Sequence, residues 1–329
     1  MNGKIPLIFI IGALAGCART QSALDVHGEP AIHLRQLMLI LMSVGVTVWV
    51  IVVAALAYAV LHPRSSPIDR AVRSDTRARF IVTSLVVATA VIIAGLTVTS
   101  FHTTRLIDGN KEPEMTVVVR GEQWWWRVTY LQDGQSAFQT ANEIHIPVGT
   151  RVRLQLESAD VVHSFWVPSL AGKQDLVPGR TNTLTIHADR PGVYRGQCAE
   201  FCGLQHSHMA VWVMADDEAS YRRWYASQLA ESLVPDQPEL ARGKAAFLRK
   251  PCAACHRVRG TAADGTTGPD LTHVGSRRTI GAGLFDRTRG TLAAWIADPQ
   301  TLKPGNNMPA VPLTSDELRS VSAYLESLE

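Results

Sequence analysis

Cys198-Ala-Glu-Phe-Cys202-Gly-Leu-Gln-His206-Ser-His-Met209 gathers two thiols, an imidazole and a thioether into one short stretch. Soft sulfur beside imidazole suits copper, and a weak Met ligand in such a set is typical of copper electron-transfer sites. Two thiolates can bridge two copper ions, which spreads one electron over both and keeps the geometry nearly constant on transfer. A binuclear site needs a second imidazole, and the best candidate is His163 in Asp160-Val-Val-His163-Ser-Phe-Trp166. A simple Cys198–Cys202 disulfide is the competing reading. His145, His187 and His208 are read as ordinary surface or core histidines.

Around this stretch the chain has strand character. Thr116-Val-Val-Val-Arg120 is β-branched, Val152, Leu154 and Leu156 alternate with polar neighbours, Asn182 to His187 alternates again, and Met209 to Met214 is mostly apolar. Asp108-Gly-Asn110, Pro147-Val-Gly149, Pro178-Gly179 and Pro191-Gly192 punctuate these runs. Short strands divided by turn signals predict an antiparallel sandwich or barrel over residues 113–230, closed by a helix from Asp217 to Leu229.

Residues 231–238, with two prolines in four residues, read as a linker. Beyond it, residues 239–329 read as a small all-α domain. Helices are expected over Leu240–Lys250, over Thr291–Asp298 with a stop at Pro299, and after a Thr314/Glu317 capping box. Leu318, Val321, Leu325 and Leu328 would form one apolar face of the last helix. This domain opens with Cys252-Ala-Ala-Cys255-His256, the attachment signature of c-type haem, in which both thiols bond the porphyrin and the histidine ligates iron. Met308 is the only methionine after Met214 and sits in Gly305-Asn-Asn-Met308-Pro309, which makes it the candidate sixth ligand. His273 is read as a surface residue.

The other end of the chain is apolar. Ile5 to Gly16 has the length of a signal-peptide core, and Leu14-Ala15-Gly16-Cys17 resembles a bacterial lipobox, so residues 1–16 are expected to be removed and Cys17 lipidated. Leu37–Leu61 and Phe80–Phe101 lack charges and are each long enough to cross a bilayer, giving a segment 17–112 with two spans. Five arginines against two aspartates in the connector 62–79 place it in the cytoplasm, with everything after residue 101 outside. A net charge of only +3, without a run of five like charges, argues against a nucleic-acid partner.

Residues 113–225 resemble the CuA domain of cytochrome c oxidase subunit II, a cupredoxin-like Greek-key barrel, and the two preceding helices complete that family's layout. The resemblance implies CuA ligation by His163, Cys198, Cys202, His206, Met209 and the carbonyl of Glu200, whose side chain would help bind magnesium beside subunit I. Gly121-Glu-Gln-Trp124-Trp-Trp126 resembles the family's electron-accepting aromatic stretch, which implicates Trp124; Trp125 and Trp126 are read partly as packing. Residues 239–329 resemble the cytochrome extension of caa-type oxidases, with Gly268-Pro-Asp-Leu271 matching the loop beside the haem. One departure is the absence of the family's glutamate before the second helix. The stretch reads Arg73-Ser-Asp75-Thr-Arg77, which puts proton uptake through this subunit in doubt.

The resemblance therefore implies an electron-transfer subunit of a proton-translocating oxidase in a bacterial inner membrane. It would pass electrons from its haem c to CuA and on to subunit I, with subunit III as a further partner. The donor to its haem would be a quinol-cytochrome c reductase or a cytochrome. A CuA subunit of a nitric-oxide or nitrous-oxide reductase is the alternative. A membrane-anchored copper chaperone is another, but it would need the β/α alternation of a thioredoxin fold, which this chain lacks.

Overall fold

The computed structural model describes residues 21–62, 74–107, 112–232 and 237–329. Cys17, the lipobox, most of the 62–79 connector and the centre of the linker lie outside these residues, as does the side chain of Asp75. The chain divides into two units. One comprises residues 32–110, and the other comprises residues 111–329 with the N-terminal segment up to Ala31.

The first unit is built on helices α1 (Glu29–Leu61) and α2 (Ser74–Ile107). Both are longer than the uncharged stretches that predicted them, because polar turns extend each helix beyond its apolar centre. Each has a span that is long and apolar enough to cross a membrane and that is not buried within the structure. Leu39, Val50, Leu56, Phe80, Leu85 and Ile93 are exposed. Such surfaces on helices of this length are expected where lipid rather than water is the solvent.

In the second unit, two five-stranded sheets pack face to face. One runs β3 (Gln135–Ala141), β2 (Trp125–Gln132), β1 (Met115–Glu122), β5 (Val152–Ser158), β8 (Asn182–Ile186). The other runs β4 (Glu143–Pro147), β10 (Ala210–Asp216), β9 (Gly192–Cys198), β6 (His163–Trp166), β7 (Gln174–Leu176). The alternation read from the sequence points Val152, Leu154 and Leu156 inward against Val117, Val119, Trp126 and Ile144, all buried. Parallel pairing of β1 with β5 and of β4 with β10 lies among otherwise antiparallel pairs, so each sheet is mixed. Helix α3 (Glu218–Leu229) is capped by Asp217 and lays Trp224 and Tyr225 on Tyr130 and Phe138.

Residues 21–31 form a strap on this sandwich. The His27 amide donates to the Ser169 carbonyl at 2.7 Å, the Asp189 amide donates to the His27 carbonyl at 2.9 Å, and Glu29 pairs with Arg151.

The helical domain has a separate core. Helix α4 (Pro238–Arg249) crosses α8 (Ser315–Glu326), and α5 (Cys252–Cys255), α6 (Arg289–Ala297) and α7 (Pro299–Leu302) complete it. Pro238 occupies the first turn of α4, where its missing N–H costs nothing, so the linker reading ran one residue too far. For the same reason Pro299 both stops α6 and starts α7. The Thr314/Glu317 capping box forms as expected. His273 corrects its surface assignment. It is only 5% exposed, with Nδ1 2.9 Å from the Glu329 carbonyl and Nε2 3.1 Å from that of Ala230.

Candidate metal and haem sites

The loop that carries the candidate copper ligands hangs from three adjacent strands. β9 ends in Cys198, β10 begins after Met209, and β6 carries His163 beside them, with Phe165 opposite Cys198. A bond from the Cys198 amide to the Met209 carbonyl, at 2.9 Å, closes the neck of the loop. Ligands far apart in sequence are thus fixed on rigid backbone.

The side chains converge. Cys198 Sγ lies 3.7 Å from Cys202 Sγ, 3.9 Å from His163 Nδ1 and 3.3 Å from the Glu200 carbonyl oxygen. Cys202 Sγ lies 3.6 Å from His206 Nδ1 and 3.9 Å from Met209 Sδ. Both cysteines are free, so the disulfide alternative fails. Two thiols, two imidazoles, a thioether and a carbonyl around one point fit a binuclear copper centre.

The hydrogen bond shared with Cys202 draws the Cys198 thiol pKa down, while burial opposes it. The pKa of Cys202 is raised by its neighbour Cys198 and by burial. Burial alone would lower the pKa of His163. Hydrogen bonds to Asp160 and Cys198 outweigh burial and push it up to about 9.

Partners that the sequence reading did not assign hold these ligands in place. Asp160 Oδ1 lies 2.8 Å from His163 Nε2, so this carboxylate orients the ring and leaves Nδ1 facing the sulfurs. Its other oxygen accepts from the Gln123 amide at 2.7 Å, and Gln123 Nε2 donates to the Cys202 carbonyl at 2.7 Å. Asp160 was legible only as a nearby residue, since its pairing with position 123 is long-range. His145 pairs with Asp216 and stacks on Trp224, while His208 pairs with Gln205; neither faces the sulfurs. Trp126 is fully buried core, and Trp125 stacks with Arg127.

The second site is a cavity of ≈ 250 Å³ whose walls include Cys252, Cys255, His256 and Met308. His256 Nδ1 donates to the Pro269 carbonyl at 2.8 Å, which fixes the tautomer and leaves Nε2 as the free nitrogen. Burial lowers its pKa and keeps the imidazole neutral, as an iron ligand requires. Met308 is held by its amide on Asn306 Oδ1 and by its carbonyl on Gln300 Nε2, both at 2.8 Å. Two thiols, a neutral histidine and a thioether around an apolar cavity fit covalent haem c.

Trp124 also lines this cavity. Its Nε1 donates to the Cys202 carbonyl at 2.9 Å, and it is only 8% exposed because the helical domain covers it. A Cβ on Gly305, in the Met308 loop, would lie 3.5 Å from its ring. The two domains meet in other places. The Ala210 amide donates to the Ala282 carbonyl at 3.0 Å, and Glu143 accepts from the amides of Arg278 and Thr279 at 2.6 and 3.1 Å. Burial of Glu143 raises its pKa against the pull of Arg277.

Comparison with known proteins finds a family for each of the two domains. Residues 115–216 match the family described as cytochrome C oxidase subunit II, periplasmic domain, and residues 240–329 match the cytochrome c family. Cytochrome c oxidase subunit 2 of Alkalihalophilus pseudofirmus is 35% identical over 337 residues, covering 99% of this chain and 96% of that protein. The same subunit of Bacillus sp. strain PS3 is 31% identical over 239 residues, covering 68% of this chain and 66% of that relative. Among solved structures, the periplasmic domain of subunit II of the Bradyrhizobium japonicum oxidase aligns with a TM-score of 0.34 at 28% identity, over 36% of this chain and 95% of that one. The chain belongs to the cytochrome c oxidase subunit II family, as a membrane-anchored electron-transfer subunit of a respiratory oxidase.

Proposed function

We propose that this subunit moves electrons within its own chain, from the domain at 239–329, through Trp124, to the copper-ligand loop and then to subunit I. The residues holding the two groups are Cys252, Cys255, His256 and Met308 for haem c, and His163, Cys198, Cys202, His206, Met209 and the Glu200 carbonyl for CuA. When bound, each group carries one electron at a time with little change in geometry, so the protein's task is to place, orient and dry the two sites. One observation carries the route. The Trp124 indole forms part of the haem cavity wall and donates its N–H to the carbonyl of the copper ligand Cys202.

In the assembled oxidase, subunit III and an upstream quinol-cytochrome c reductase or cytochrome complete the set of partners. The Glu200 carboxylate, partly exposed and paired with Lys173 at 3.5 Å, is the side chain that would help bind magnesium beside subunit I. The two spans lie in a bacterial inner membrane with both redox domains on its outer face, and Cys17 is acylated. Mass spectrometry of the mature N-terminus checks this last point, and an intact Met1 would refute it.

Trp124→Phe keeps a ring in the cavity wall but removes the N–H bond to Cys202. The haem-to-copper step should slow while both centres keep their spectra. Trp124→Ala should slow it further and also destabilise the interface by about 3–5 kcal/mol, as buried Trp truncations do. The wild-type rate should not depend on protein concentration. A rate that scales with added soluble cytochrome c would show that the fused domain is not the immediate donor.

A further inference from the structure

Lys303 stands five positions before Met308 and is 2% exposed, which is rare for a lysine. Its Nζ donates to three backbone carbonyls from three separate segments. These are Trp124 in the β1–β2 turn at 2.8 Å, His208 in the copper-ligand loop at 2.7 Å, and Gly281 in the helical domain at 2.7 Å. An ammonium has three N–H groups and no acceptor, so this tripod uses its full capacity. Burial draws the Lys303 pKa down to about 7, with the nearby Cys202 acting in the opposite sense. The three carbonyls favour the protonated form, since only the ammonium can serve all of them.

We propose that Lys303 is a positioning residue that locks the haem-binding domain onto the copper domain and sets the spacing between the two redox sites. The proposal rests on the intrachain route above and names what holds that route together.

The placement of the acceptors is the first argument. Trp124 is the residue shared by the haem cavity and Cys202. His208 lies between the copper ligands His206 and Met209. Lys303 therefore grips the two elements whose distance from the haem matters; the Ala210–Ala282 bond lies beside this grip, whereas Glu143 joins the domains elsewhere. Continuity with the Met308 loop is the second. The Lys303 amide donates to the Pro299 carbonyl at 2.9 Å, its carbonyl accepts from Asn306 Nδ2 at 2.7 Å, and Asn306 Oδ1 accepts from the Met308 amide. Beside it, Gln205 Nε2 donates to the Pro304 carbonyl at 2.9 Å. A short hydrogen-bonded relay thus runs from the proposed sixth ligand of iron to the loop that carries the copper ligands. The third is chemical. A buried charge bound to three dipoles is costly to separate from them, because all four groups would need new partners.

The seal over Trp124 follows. With the lock closed, a soluble donor cannot reach this indole, and electrons must pass through the fused haem.

The test uses the purified oxidase complex with Lys303→Met, which keeps a long flexible chain but offers no donor. Hydrogen exchange at the Ala210 amide, which crosses the interface to Ala282, should accelerate by about tenfold or more, the change expected from losing a charge-assisted set of bonds. The haem-to-copper step should slow by a similar factor and become dependent on solvent viscosity, while the copper signal and the sulfur-to-iron band of the haem stay unchanged. Lys303→Arg should not restore either value, because a planar fork cannot serve a tripod of acceptors. Wild-type exchange and a viscosity-independent wild-type rate in Lys303→Met would overturn the proposal. If that variant does not assemble, Lys303→Gln retains two N–H donors and should show the same two changes to a smaller degree; wild-type values there would overturn it equally. Failure of the intrachain route itself looks different. The transfer in the unmodified complex would then scale with added soluble cytochrome c, while Ala210 exchange would still report the lock.

Discussion

Cys198→Ser is expected to abolish the mixed-valence copper signal, leave the haem spectrum intact and reduce electron delivery to oxygen by on the order of a hundredfold or more. Loss of an outer-shell partner already costs about 10–100-fold in metal affinity, and Cys198 is proposed as a bridging ligand. Its sulfur is the common neighbour of His163, Cys202 and the Glu200 carbonyl. A serine hydroxyl at this position is a hard donor that stays protonated, so it offers neither the charge nor the softness that two coppers need. Metal analysis and the copper resonance check the result. Two coppers retained with a spectrum spread over both ions would mean that Cys198 is not a ligand.

Gly243→Val should prevent stable folding of the haem-binding domain and hence haem attachment, while the copper centre still forms. A Cβ at Gly243 would stand 2.0 Å from the Ser320 carbonyl oxygen and 2.7 Å from Tyr324 Cβ, where α4 crosses α8. Overpacking against side chains costs about 1–3 kcal/mol. Here the obstacle is backbone, so the two helices must separate, and the cost should exceed that range in a domain whose net stability is of order 5–15 kcal/mol. The sandwich core around Trp126 and Phe165 is distinct from the one around Phe247 and Tyr324, which is why the copper site should survive. Haem staining of the purified chain, with thermal unfolding followed in the Soret and copper bands, measures both outcomes. Normal haem content and an unchanged melting temperature would contradict the close crossing.

The interface also changes how the fusion of two domains is understood. The short linker alone would hold the haem domain near the copper domain at an effective concentration on the order of millimolar. Charge favours contact only mildly, with 12 Lys/Arg against 9 Asp/Glu in residues 239–329 and 10 against 12 in residues 113–225. Those totals gave no indication of a fixed dock. It comes instead from two buried charges, Lys303 and Glu143, each satisfied by backbone groups across the interface. Haem-to-copper transfer should therefore be nearly insensitive to salt, since buried pairs are screened far less than exposed ones.

What the sequence determined by itself was local. Uncharged stretches of 25 and 22 residues specify membrane-length helices, because the bilayer sets both their length and their composition. Alternation over Val152–Leu156 specifies which face of β5 is buried, since side chains in a strand repeat every second residue. Two cysteines, a histidine and a methionine within one loop, and the Cys252-Ala-Ala-Cys255-His256 segment, name candidate ligands because the chemistry needs those donors at short spacing. The tertiary structure alone decided everything that depends on distant partners. It buried His273 between Ala230 and Glu329, turned Asp160 into the carboxylate that orients His163, and covered Trp124 with the helical domain. Above all it brought Lys303 to the carbonyl of Trp124, 179 residues away. A lysine before Pro-Gly looks like any solvated cation in sequence, because its acceptors are backbone carbonyls, which every residue carries and no side-chain pattern records.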